Sequence, residues 1–157
     1  MRFTQSASYP MTSAQVEEMS LDPQYIRSRF SQLCDSLDVK VEGRRVRAMG
    51  AVSDRFIPAA ARSIIRGAVT VTFTEEWSGD EGRLTATTTV KTQGAPVALE
   101  CSSTMMDEDG AAVRAVSGDL SVSIPFFGAR IEREALEHAS KVILKEVSLA
   151  KKWCDAR

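Results

Sequence analysis

One histidine, His138, and three widely spaced cysteines, Cys34, Cys101 and Cys154, leave little material for metal or redox chemistry in a chain of 157 residues. A structural zinc site needs several Cys or His ligands at short spacing, and neither a CxxC pair nor a second histidine exists to supply one. An odd number of cysteines without close neighbours argues against a disulfide framework, so all three are expected as free thiols of a cytoplasmic protein. A Ser-His-Asp triad would have to use His138, yet no GxSxG elbow is present. GxGxxG and P-loop runs are missing as well, which removes the glycine-rich cradles for phosphates. The acidic stretches "SGDEG" and "MDEDG" lack the register of a calcium loop and serve better as hairpin turns. No cofactor is expected. No stretch reaches the ~18 apolar residues of a membrane span, and "MRFTQSASYPM" lacks the apolar core of a signal peptide. A net charge of -1 gives no electrostatic reason to expect nucleic acid or an anionic membrane. The basic clusters "GRRVR" (43–47) and "LAKKW" (149–153) read as solvated faces.

What is present describes an ordinary globular chain, 43% hydrophobic and 26% charged, long enough to bury a core as a single domain over 1–157. "RFTQSASY" (2–9) alternates as a first strand and is ended by Pro10. Thr12 or Ser13 caps a short helix, and Asp22-Pro23 opens a second one. In that second helix Tyr25, Ile26, Phe30, Leu33, Cys34 and Leu37 recur at helical spacing. From residue 38 the period becomes two. In "VTVTFTEEW" (69–77), Val69, Val71, Phe73, Glu75 and Trp77 share one face while the threonines and Glu76 take the other. Turns at 42–44, 78–83, 93–96 and 107–110 separate further strands. The segment "RFIPAAARSIIRG" (55–67) interrupts them as a short helix with Pro58 near its start, either a crossover over the sheet edge or a lid over a cavity.

The C-terminal stretch carries the main anomaly. No proline or glycine follows Gly128, so a single helix of ~25 residues and ~37 Å is expected to about Trp153. Advancing ~100° per residue, Ile131, Ala135, Ala139, Val142, Ile143, Val147, Ala150, Trp153 and Cys154 share an arc. Glu132 and Glu146 lie in the middle of it, seven residues either side of Ala139. A bare buried carboxylate is very costly. The cheapest account is pairing with Arg45, Arg47, Arg62 or Arg66; the alternative is direct contact with a ligand.

The order of strand, two short helices, about six strands and long C-terminal helix resembles the helix-grip fold of the START and birch-pollen-allergen-like superfamily. This is an α+β class in which a curved antiparallel sheet wraps around a long C-terminal helix. At finer grain "FIPAAARSIIRG", "TEEW" (74–77), "GAPV" (94–97) and "VSIPFFGARIE" (122–132), leading to "LKEVSLAKKW", resemble the domain-of-unknown-function family 2505. Superfamily members bind sterols, lipids, plant hormones or polyketides, and some act as cyclases or aromatases. The resemblance therefore implies a cavity between sheet and helix, with Phe73, Trp77, Leu99, Met105, Leu120, Val122, Val142, Ile143 and Glu146 as candidate ligand contacts. The function it implies is binding or transport of a small hydrophobic or lipid-like molecule; the chain itself is expected as a monomer or weak homodimer. Two other readings stand beside it. One is a cyclase- or hydrolase-like enzyme using Glu146 or Glu132 as acid or base. The other is a ligand-free interaction module using the outer "TATTT" face or the "AAARSII" helix.

Overall fold

Strict alternation of apolar and polar residues needs a sheet with one covered face, and the chain builds one. A computed structural model describes residues 1–57 and 59–157. The strands are β1 (Arg2–Tyr9), β2 (Cys34–Glu42), β3 (Arg45–Val52), β4 (Thr70–Asp80), β5 (Arg83–Gln93), β6 (Val97–Glu108) and β7 (Ala111–Val122). They form a curved seven-stranded antiparallel sheet in the order β1-β7-β6-β5-β4-β3-β2. Strands β1 and β2 thus lie at opposite edges, and α1 (Ser13–Ser20) and α2 (Pro23–Phe30) carry the chain between them. A reciprocal Thr12–Gln15 capping box starts α1. For α2 the start is Asp22, whose carboxylate accepts from the Gln24 N–H at 2.9 Å, followed by Pro23 at the first helical position.

The chain ends in α3 (Gly128–Glu137) and α4 (Ala139–Asp155), which lie against the inward face of the sheet with α1 and α2. Two apolar clusters result. The larger joins Tyr9, Val16, Ile26, Phe73, Trp77, Met105 and Ala150, with Val147, Leu149 and Trp153 packed on it. The smaller, at the other end of the sheet, joins Ala61, Val122 and Ile124, with Ile57, Ile65, Leu120 and Ile131 at its margin. The Trp153 indole N–H donates to Asp22 at 2.7 Å, fastening the end of α4 to the start of α2.

Three local expectations are corrected. The second helix stops at Phe30, and Cys34 and Leu37 belong to β2. A β-bulge between those two residues turns both inward although they are three apart, which mimics helical spacing. The 55–67 segment, expected as one short helix with Pro58 near its start, is entered by and holds two 3₁₀ turns, Asp54–Phe56 and Ala59–Ala61, and Pro58 lies outside the described residues. The C-terminal helix is also interrupted. His138 has φ -92 and ψ 0, and it separates α3 from α4 without proline or glycine.

A charged cluster between the sheet and the C-terminal helix as candidate functional site

Glu75 is buried in the middle of the sheet's inward face, in phase with Val71, Phe73 and Trp77. Its Oε1 accepts from the Trp77 indole N–H at 3.0 Å and its Oε2 from the Thr88 hydroxyl at 2.8 Å. Thr88 reaches it because the two residues face each other across β4 and β5. The third partner comes from β7, three strands away, a gap of about 14 Å at ~4.8 Å per strand. Arg114 crosses that gap. Its Nη2 lies 3.2 Å from Glu75 Oε2, its Nε donates to the Ser103 hydroxyl at 3.0 Å, and its guanidinium sits 5.4 Å from the centre of the Trp77 ring. Small side chains make the passage possible, since Ala86 and Ser103 oppose one another on the intervening strands.

A second ion pair closes the space from the helical side. Arg29, on α2, lies 2.5 Å from Glu146 on α4, and both side chains are largely covered. The Arg29 guanidinium also sits 5.1 Å from the centre of the Phe73 ring, which itself packs against Phe30 at a centroid distance of 5.1 Å. The buried phenols Tyr9 and Tyr25 complete the group.

The electrostatics follow from this arrangement. Burial pushes the Glu75 pKa up, but the nearby guanidinium groups of Arg114 and Arg29 and its hydrogen bonds outweigh that and hold it below the ordinary value. Burial opposes the charge on Arg114 and Arg29 as well, yet Glu75 and Glu146 respectively keep each pKa above its usual range. Desolvation raises both tyrosines, with Glu146 adding to it, so they remain neutral phenols that can donate or accept. The cluster thus holds two cations and two anions.

The nine residues proposed from sequence fall into four settings. Phe73, Trp77 and Met105 lie in the larger cluster and touch or flank the charged group. Leu120 and Val122 belong to the smaller cluster, and half-buried Leu99 faces Leu120 across β6 and β7. Ile143 is half-buried and Glu146 is ion-paired. Val142 is 55% exposed and does not line the interior, a correction that follows from the interruption at His138, where Ser140, Lys141 and Val142 stand in solvent. The arginine expected opposite Glu146 also changes. Arg45 and Arg47 alternate with inward-facing Val46 and Ala48 and point to solvent, whereas Arg29 faces inward. Glu132 is held differently: the Val122 N–H donates to it at 3.1 Å and the Met1 ammonium lies 3.7 Å away. It fastens α3 to the end of β7. Sequence reasoning placed Glu75 on the inward face without assigning it a role, and it missed Arg114, Arg29, Tyr9 and Tyr25.

A groove of about 500 Å³ runs along the seam between β1 and α4, lined by Ser8, Tyr9, Pro10, Ala111, Leu144, Val147, Ser148 and Lys151. Tyr9 belongs both to this groove and to the interior cluster, and Val147 lines the groove while packing on that cluster. Among the described residues, no three His, Cys, Asp or Glu side chains come together as a metal-ligand set, and no helix is long and apolar enough to cross a membrane.

A curved antiparallel sheet closed by a long C-terminal helical segment defines the helix-grip, birch-pollen-allergen-like class of proteins. Solved structures of that class superpose along the whole chain. The protein TTHA0849 from Thermus thermophilus matches with a TM-score of 0.65 at 16% identity, covering 97% of this chain and 98% of its own. The Zhui aromatase/cyclase from Streptomyces sp. R1128 matches with a TM-score of 0.62 at 14% identity, covering 100% and 96%. Norcoclaurine synthase from Thalictrum flavum, solved in complex with dopamine and hydroxybenzaldehyde, matches with a TM-score of 0.57 at 7% identity, covering 100% and 88%. Identities this low establish the fold alone. The chain belongs to DUF2505, a family described as proteins of unknown function, whose model matches residues 4–154. Among curated proteins, none matches the sequence.

Proposed function

We propose that this protein binds a small, largely apolar molecule between the inward face of the sheet and α4, and that the charged cluster receives its polar group. The observation that carries this reading is the Glu75–Arg114 pair, buried with its Thr88 and Ser103 partners at the centre of a largely apolar face. Hydrophobic residues of similar volume would stabilise such a core as well or better, so a buried pair is a poor device for stability alone. The birch-pollen-allergen-like relatives add support, one having been solved with two small aromatic compounds. The charge balance narrows the ligand. Two cations already face two anions, so an ionised head group would have to break a pair, whereas an uncharged hydroxyl or carbonyl needs only Tyr9, Tyr25 and the free edges of the guanidinium groups.

The interior is packed around Tyr9, Trp77, Met105 and Ala150, so access requires the seam between β1 and α4 to part beside Tyr9. A carrier or sensor suits this site better than an acid–base enzyme. Glu75 is held ionised and cannot donate a proton near neutrality, while Glu146 and Glu132 are engaged by partners. Trp77 supplies the test. With Trp153→Phe as background, emission from Trp77 should shift when neutral hydroxylated aromatics or sterols are added, and native mass spectrometry should retain the same compound. No retained species and an unchanged Trp77 spectrum across the panel would defeat the proposal.

A further inference from the structure

At the end of the sheet carrying the smaller apolar cluster, the loop after β3 (53–69) and the loop after β7 (123–127) share a base formed by Ile57, Ala61 and Ile65 against Val122 and Ile124. Both loops turn apolar side chains outward. Phe126 is 101% exposed and has φ +69, a left-handed backbone that a bulky residue rarely adopts. Two residues on, Gly128 packs so closely on the Val122 carbonyl that an added Cβ would lie 2.1 Å from the oxygen. Phe127, Phe56 and Ile64 are also exposed. Large apolar groups gathered on two adjoining loops are the kind of exposed surface that marks a contact site.

The same loops are basic. Segment 53–69 carries Arg55, Arg62 and Arg66 against Asp54 alone, three minus one or a local charge of +2 in a chain of net charge -1. Among the described residues none of these three arginines pairs with a carboxylate, and all are exposed. The first turns of α3 leave the balance unchanged, since Arg130 and Arg133 accompany Glu132 and Glu134. Arg55 lies 5.1 Å over the Phe56 ring, so cation and apolar surface occupy one spot.

We infer that this end of the molecule docks on an anionic lipid surface, with Phe126 as the inserted side chain and Arg55, Arg62 and Arg66 against the head groups. The shape favours a bilayer over a folded partner. Phe126 projects outward, and a fluid interface accepts an isolated projection that a rigid protein surface would have to match with a pocket. The chain's net charge conceals this local excess, which Asp54 and Asp35, whose carboxylate accepts from the Ser53 hydroxyl at 2.9 Å, offset only in part. The inference does not depend on the interior ligand.

Co-sedimentation with vesicles tests it directly. Wild-type protein should pellet with phosphatidylcholine vesicles containing about a third phosphatidylserine, stay in solution with phosphatidylcholine alone, and be released by salt. Arg62→Ala and Arg66→Ala should each weaken partitioning about fivefold, and Phe126→Gly should weaken it about tenfold or more. Glycine accepts the left-handed backbone, so the Phe126→Gly variant should keep or raise its Tm while losing binding. A merely structural Phe126 would not give that combination. Equal partitioning onto both vesicle types, no partitioning at low salt, or unchanged binding by Phe126→Gly would overturn the inference. So would a wild-type dimer that Phe126→Gly converts to monomer without any vesicle binding, since the cover would then be a second copy of the chain.

Discussion

Replacing Glu75 with alanine removes the counter-ion of Arg114 and leaves a guanidinium buried against Trp77 with only Ser103 as a hydrogen-bond acceptor among these contacts. Stranding a buried charge in this way costs about 3–5 kcal/mol, enough to lower the Tm of a domain this size by roughly 10 °C. Glu75→Gln should cost less, because the amide oxygen still accepts from Trp77 or Thr88. The double variant Glu75→Leu/Arg114→Met removes both ions and should recover most of the loss. Urea denaturation of wild type, Glu75→Leu, Arg114→Met and the double variant yields the coupling energy, provided the m-values agree. The pH dependence has a definite sign. Since the folded pKa of Glu75 lies below the ordinary 4.5, its contribution is complete above about pH 4.5 and declines as acid carries the pH down through the folded value. Glu75→Gln should flatten that limb. A Glu75→Ala variant within about 1 kcal/mol of wild type, or a double variant no better than the single, would refute the reasoning.

Other regions give sharper local tests. Asp22→Ala removes both the cap of α2 and the acceptor of the Trp153 indole, so unfolding free energy should fall by about 2 kcal/mol, whereas Asp22→Asn should retain part of it in the same assay. Gly128→Ala pushes a methyl group into the Val122 carbonyl and should destabilise by about 1–3 kcal/mol, measurable as a shifted urea midpoint at constant m. Burial raises the thiol pKa of Cys34 and Cys101, so alkylation of the native protein at pH 8 should be slow at both positions. Unfolding without reductant should then expose three reactive thiols; fewer would show a disulfide where the structure has free cysteines.

The sheet was legible in the sequence because period-two alternation depends only on neighbours in the chain. The pattern through 69–77 puts Glu75 inward with Phe73 and Trp77, and the structure has it there. Its partner was not legible. Arg114 comes from a strand 39 residues away, across two intervening strands whose register no local pattern fixes. A usable signal existed even so. Arg114 keeps the parity of Ala112 and Val122 on β7, and Arg29 keeps the helical stripe of Tyr25, Ile26 and Phe30. Inward-facing arginines and inward-facing glutamates in one sheet-and-helix core have few partners other than each other. Parity also disqualified Arg45 and Arg47 as partners of Glu146, since they alternate with apolar Val46 and Ala48. The interruption at His138 left no such trace, because neither proline nor glycine marks it, and the wheel drawn through it carried Val142 to the wrong side.

The double variant Glu75→Leu/Arg114→Met also separates stability from function. If the pair exists only to hold the core together, an apolar replacement of similar volume should restore stability, and nothing that the wild-type protein does should be lost. If the pair receives a ligand's polar group, the same variant should be at least nearly as stable as wild type and yet fail to retain the compound that wild type carries in native mass spectrometry. Trp77 makes the comparison direct, since its indole N–H loses its Glu75 acceptor in the variant. Its emission should already differ in the unliganded state and should stop responding to added compound. A stable variant that still binds would move the recognition site away from the charged cluster, toward the groove beside Tyr9 and Val147. A stable variant that does not bind would show that two buried ions are kept at the centre of this sheet for what they recognise.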